Sequence, residues 1–268
     1  MSTTTSPEGS PQRSSGAEGA VVTGGTSGIG LAITLRLARR GLRVYAVSRR
    51  GEGDTAELDR GVAELGVPRP TVLTADVSER DQLEAVAKRM ADDQVTPRVV
   101  VGSAGINVRS LALDVPDEAV HRMIDTNLYG LFATFQVFAP SALASSGSRF
   151  VAISSLNAVH GMRLRAPYSA TKAGVSGLVR ALAVEWGPQG ATVNAIAPGI
   201  IETPLTRGYM DEHPDRTAAG IAHTPVGRLG RVDDIAHAAE YLVSPEASFV
   251  NGQTLVVDGG LSAGSAWW

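Results

Sequence analysis

GAVVTGGTSGIGLAITLRLARRGLRVYAVSRR, residues 19–50, holds two short Val-rich runs with a glycine-rich turn and a helical stretch between them. A Val-rich run bounded by glycine reads as a buried strand, so the unit is strand, turn, helix, strand. The rest of the chain repeats it. A polar helix runs through Glu64, followed by PTVLTADV (70–77), a helix from about Glu79 to Ala91 and RVVVGSAG (98–105). Then come a long helix from Asp117 towards Leu143, RFVAISS (149–155), the helix carrying YSATKAG (168–174), ATVNAIAPG (191–199) and QTLVVDGG (253–260). Short Val/Ile-rich runs joined by helices predict parallel strands covered on both faces, a doubly wound α/β sheet. With no second composition regime and no repeat, residues 19–268 are expected to form one domain. Residues 1–18, MSTTTSPEGSPQRSSGAE, lack large apolar side chains and are expected to be a disordered tail.

Composition narrows the functional classes. Of the 268 residues 43% are apolar, enough to fill a core. A formal charge of −3 gives no basic field, which argues against nucleic acid as a partner. There is no cysteine, hence neither disulfide nor thiolate metal site, and no metal is expected. No apolar run reaches the roughly 18 residues that cross a bilayer, so the expected setting is the cytoplasm.

In doubly wound sheets ligands bind beyond the carboxyl ends of the strands. The first strand ends in TGGTSGIG, where Gly24, Gly28 and Gly30, with Thr26, Ser27 and Ile29 between them, would let the backbone turn tightly and approach a pyrophosphate at a helix N-terminus. The spacing is not G-x-G-x-x-G, and the turn is equally readable as a structural strand-to-helix link. Tyr168 and Lys172 lie one helical turn apart, within reach of each other. A phenol, with an ordinary pKa near 10, is a poor base at neutral pH, and a nearby ammonium is expected to lower that value. By itself the pair is readable either as chemistry, with Tyr168 the candidate acid/base, or as a chance string on a solvated helix.

TGGTSGIG, ADV, ISS, YSATK and APGIIET, in this order and at these distances, resemble the short-chain dehydrogenase/reductase family from residue 20 to about 260. The resemblance implies a Rossmann-type sheet of seven strands, a nicotinamide cofactor and transfer of its pro-S hydride between the cofactor and an alcohol/carbonyl pair. It assigns Tyr168 and Lys172 to the cofactor site as well, with Lys172 on the nicotinamide ribose. Family spacing makes Ser155 the residue that polarises the carbonyl, with Ser154 the competing candidate. Asn127 matches an asparagine whose backbone carbonyl organises a water leading from Lys172 to solvent. Asp76 matches an acceptor from the adenine amino group and is also readable as a turn cap. Val77 supplies a backbone contact, and Ile201 and Thr203, after Pro198 and Gly199, match contacts to the carboxamide.

Two positions depart from the family pattern. GSAG stands at Gly102, Ser103, Ala104 and Gly105 where relatives usually read NNAG, and Ser103 is a candidate to replace part of the missing hydrogen bonding. Ser48 occupies the place of the aspartate of NAD-dependent relatives, and Arg49 follows it. A guanidinium binds a 2′-phosphate through two parallel hydrogen bonds, so NADP(H) is expected ahead of NAD(H), unless Arg49 and Arg50 are only solvated charges.

The expected substrate is a moderately hydrophobic carbonyl compound, ketoacyl or polyketide-like, bordered by Asn107, Val108, Arg109, Leu156, Asn157, His160 and Met162 under a mobile lid from Leu205 to Pro225. A sugar or steroid alcohol dehydrogenase is the alternative, and a non-catalytic nucleotide sensor the remaining class. Trp267 and Trp268 are candidates to close a pocket. A homotetramer is expected, through helices that hold Leu128, Leu131, Phe132, Phe135, Val175, Leu178 and Leu182.

Overall fold

Seven parallel strands form one sheet in the order β3-β2-β1-β4-β5-β6-β7 in the computed structural model, which describes residues 17–264. The strands are β1 (Ala17–Thr23), β2 (Arg43–Ser48), β3 (Thr71–Thr74), β4 (Val95–Gly102), β5 (Arg149–Ile153), β6 (Thr192–Pro198) and β7 (Thr254–Val257). The order reverses between β1 and β4, which makes the crevice beyond their carboxyl ends the natural ligand site.

Alternation along the strands divides the core in two. Val21, Val100, Phe150 and Val193 face α3 (Arg80–Asp92), α5 (Gly130–Leu143) and α6 (Ala166–Trp186). Val22, Val101, Val151 and Ile196 face α1 (Gly28–Arg39), α2 (Ala56–Leu65) and α9 (Val232–Val243). Strands buried on both faces need the near-continuous Val/Ile composition read from the sequence.

One expectation is corrected. β1 begins at Ala17, inside the expected tail, because Ala17 and Glu18 pair with Val95 and Thr96 of β4, and backbone pairing does not require apolar side chains. Residues 1–16 of that tail, and Trp267 with Trp268, lie outside the described residues. The long helix runs from Asp117 to Leu143 as expected, with α4 (Asp117–Ile124) joined to α5 by a π-turn at Asp125–Tyr129. The surplus residue of such a turn re-aims side chains, here Asn127 towards the loop after β4. The segment expected to form the lid folds as α7 (Pro204–Glu212) and α8 (Pro214–His223), begun by a capping box between Thr203 and Thr206.

Candidate active site

The turn after β1 is compressed against the end of β4. Gly24, at φ +68°, donates its N–H to the Val47 carbonyl at 2.8 Å, and a Cβ there would stand 2.9 Å from the Ala104 nitrogen. At Gly30 a Cβ would drive into the Gly24 carbonyl. Thr26 is buried, Ser27 precedes α1 with no side-chain cap, and the first turn of α1, where Ile29 lies, carries no acid. Gly28 comes close to Thr203. The start of α1 therefore offers uncapped N–H groups and its positive dipole end to an anion.

Around this turn Pro198 ends β6, the Gly199 N–H bonds the Val257 carbonyl at 3.0 Å, and Ile201 bridges to Gly230. Asp76 accepts from the Ser78 N–H at 3.0 Å and hydroxyl at 2.7 Å. Burial raises the Asp76 carboxyl, but the two bonds from Ser78 and the charge of Arg49 outweigh it and hold it below the usual range. Val77 is buried beside Leu83. Ser48 accepts from the Gly51 N–H at 3.1 Å, and Arg49 is exposed at the strand end. The Ser103 hydroxyl makes no hydrogen bond among the described residues, so it does not replace the family's asparagine amides. Instead Leu131 occupies the space a side chain at Gly102 would fill. Gly105 lies close to both Asn127 Oδ1 and Lys172 Nζ.

Helix α6 brings Tyr168 and Lys172 over β5. Lys172 is buried, its Nζ donates to the Ile153 carbonyl at 2.8 Å, and burial pushes the ammonium down to about 8. Burial pushes the Tyr168 phenol up, beyond what the hydrogen bond with Ser155 and the charge of Arg165 take off. Lys172 Nζ and the Arg165 guanidinium both stand 5.8 Å from the Tyr168 ring centre, and the hydrogen bond of Lys172 goes to the strand carbonyl. Arg165 went unnoticed in the sequence, although it lies three residues before Tyr168.

The two serines divide. Ser154 donates to the Lys172 carbonyl at 3.0 Å, whereas Ser155 accepts from the Asn157 N–H at 3.1 Å and lines a cavity with Tyr168. The side chain of Asn127 accepts from the Ile106 N–H at 2.8 Å and donates to the Ile106 carbonyl at 2.9 Å and to Thr171 at 3.2 Å. It clamps the β4 loop to α6.

The cavity beside Tyr168 and Ser155 measures about 380 Å³. Its walls include Asn107, Arg109, Leu156, Asn157 and Met162, as expected, but not Val108 or His160. Tyr209 and Met210 of α7 close it from above.

A phenol, a hydroxyl and a buried ammonium at the strand ends of a doubly wound sheet, beside a glycine turn that admits a pyrophosphate, define a dinucleotide-dependent oxidoreductase. The chain belongs to the short-chain dehydrogenase/reductase family, acting on a CH–OH/C=O pair with NAD(P)(H). Residues 24–262 match the family model described as enoyl-(acyl carrier protein) reductase. Galactitol 2-dehydrogenase (L-tagatose-forming) of Cereibacter sphaeroides is 36% identical over 243 residues, 90% of this chain and 93% of that protein. The 3-oxoacyl-(acyl-carrier-protein) reductase of Vibrio cholerae is 35% identical over 242 residues, 90% of this chain and 96% of that protein. A gluconate 5-dehydrogenase of Burkholderia cenocepacia, solved with NADP and tartrate, superposes with TM-score 0.85 at 31% identity, covering 93% of this chain and 96% of that one. No helix among the described residues is long and apolar enough to cross a membrane.

Proposed function

We propose that this protein is an NADPH-dependent reductase that transfers a hydride to a ketone of a moderately hydrophobic, ketoacyl or polyketide-like substrate. One observation carries the reading: Tyr168 and Ser155 stand together in the wall of a largely apolar cavity. A phenol raised by burial is protonated at neutral pH and ready to donate to a ketone oxygen. Ser155 donates to the same oxygen as negative charge develops on it. Bound dihydronicotinamide supplies the hydride.

Gly24 and Gly30 keep the backbone open to the pyrophosphate, and the first turn of α1 presents free N–H groups to it. Lys172, a buried cation with no carboxylate beside it, holds the nicotinamide ribose, and Asp76 faces the adenine. Ile201 and Thr203 orient the carboxamide. Arg49 takes the 2′-phosphate, which is why we favour NADP(H) over NAD(H).

An intact Tyr168 and Ser155, together with a lysine buried at a cost in stability, have no use in a non-catalytic sensor. Galactitol 2-dehydrogenase keeps open the reverse reading, oxidation of a secondary alcohol. We further propose a homotetramer in a reducing cytoplasm. The test is NADPH oxidation with diketones, ketoacyl thioesters and quinones, against oxidation of sugar and steroid alcohols. Turnover of ketones with a clear NADPH preference supports the reading, and failure with every carbonyl compound removes it.

A further inference from the structure

Four arginines, Arg109, Arg163, Arg165 and Arg216, stand in the wall of the cavity, and no aspartate or glutamate does. Elsewhere in the fold arginines meet acids: Arg36 with Glu240, Arg69 with Glu52 and Asp59, Arg228 with Asp234. Among the described residues none of the four does. Arg109 Nη1 is shut off from solvent and donates to nothing. Its guanidinium lies 3.3 Å from the centre of the Tyr209 ring, and Arg216 donates to the hydroxyl of the same tyrosine at 2.8 Å. Arg165 is half-buried over Tyr168.

These charges oppose one another. Burial weakens the hold of Arg109 on its proton, and the charge of Arg216 adds to that; Arg165 is affected by burial first and then by Arg109. Cations withdrawn from water without a counter-charge are costly, and clustering them raises the cost. A fold that keeps Arg109 and Arg165 partly buried on one wall, with Arg216 exposed beside them, lacks an anion which the described residues do not supply. Tyr209 holds two of the three in place by its ring and its hydroxyl, so the forks are set before anything binds.

Resting on the reductase reading above, we propose that the substrate carries an oxyanion, carboxylate or phosphate, held by Arg109 and Arg165 with Arg216 at the mouth, while its ketone faces Ser155 and Tyr168. Because Arg165 also stands over Tyr168, the charge lies near the reacting carbonyl. Short oxo acids satisfy this, with their carbon frame against Leu156, Met162 and Leu205.

Two arms test the proposal. In the first, NADPH oxidation is compared for 3-oxobutanoate and its ethyl ester, with wild type and with Arg109→Gln. The acid is expected to have at least about a tenfold higher kcat/KM, lost in Arg109→Gln mainly through KM, with the ester unaffected. In the second, calorimetry on the NADP⁺-loaded enzyme measures binding of tartrate, glycerol 3-phosphate and the neutral threitol. Binding of either anion but not of threitol, weakened at least about tenfold by Arg109→Gln or Arg165→Gln, supports the site. The tighter of the two anions tells carboxylate from phosphate.

Equal use of acid and ester, with no anion binding, overturns the proposal and leaves the reductase reading standing. Anion binding that depends on these arginines, without turnover of any oxo compound, does the reverse. Anion binding indifferent to both substitutions overturns the proposal as well. The acid/ester comparison needs only the wild type, so it holds even if a variant fails to fold.

Discussion

The Lys172 ammonium stands 5.8 Å from the centre of the Tyr168 ring, one turn further along α6, and spends its hydrogen bond on the Ile153 carbonyl beneath. That bond is made to the strand and not to the phenol. Loss of either residue is therefore expected to leave a different trace.

Tyr168→Phe removes the proton donor and keeps the ring. Turnover should fall by about 10²- to 10⁴-fold, while NADPH affinity changes less than about twofold. Fluorescence titration with NADPH beside steady-state assays gives both numbers. Residual turnover within tenfold of wild type would move the acid role to another group.

Lys172→Met should abolish activity and weaken NADPH binding, yet stabilise the protein without cofactor. A fall of the ammonium from 10.5 to about 8 corresponds to about 3 kcal/mol of burial cost. Leaving the Ile153 carbonyl without its partner returns about 1 kcal/mol of that. Below pH 8 both folded and unfolded chains are charged and the full cost is present. Between pH 8 and 10.5 the unfolded chain holds a proton that the folded one has released, so wild-type stability from this group rises with pH. Urea unfolding should show the variant ahead at pH 7 and the gap narrowing by pH 10.

Arg49→Ala should lower NADPH affinity about ten- to a hundredfold, the 1.5–3 kcal/mol of a charge-assisted hydrogen bond, with NADH hardly changed. Ser48→Asp adds an acceptor for the ribose diol and repels the phosphate, shifting preference further towards NADH. Kinetics with both cofactors decide: equal losses for the two in Arg49→Ala would withdraw the NADP assignment.

Of the residues expected to carry assembly, Leu131, Phe135, Val175 and Leu182 are buried in the chain's own core, while Leu128, Phe132 and Leu178 stay partly exposed. Phe249 and Val184 are exposed, as are Leu255 and Val256 of the edge strand β7, and Asn251 donates to the Ala183 carbonyl at 3.0 Å, tying the Phe249 turn to the end of α6. A tetramer built across this surface should dissociate in Phe249→Asp or Val256→Asp. Light scattering at micromolar concentration reads the outcome, and a monomeric wild type would end the proposal.

The strands and the glycine turn were legible because they answer to local rules: a β-branched run buried on both faces, a glycine where a Cβ would strike Ala104 or the Gly24 carbonyl. What depended on contacts between distant segments was not. Which of Ser154 and Ser155 faces the cavity follows from α6 packing on β5. The clamp of Asn127 on Ile106 spans 21 residues and needs the π-turn, which leaves no compositional mark. Arg109 and Tyr209 are a hundred positions apart and meet only because α7 folds back over the loop after β4. Inward or outward orientation of Leu131 and Val175 likewise depends on the exact phase of their helices.

That π-turn also governs how the gene tolerates length change. Five residues wound as a π-turn advance the chain by about the angle of four in an ordinary helix, so α4 keeps its phase on α5 despite the extra residue. Met123 therefore stays in the core while Asn127 is aimed at Ile106. Removing one residue from Asp125–Tyr129 would restore ordinary winding and spare the core, yet lose the Asn127 contact. Across these five positions a deletion would strike the site and leave the fold.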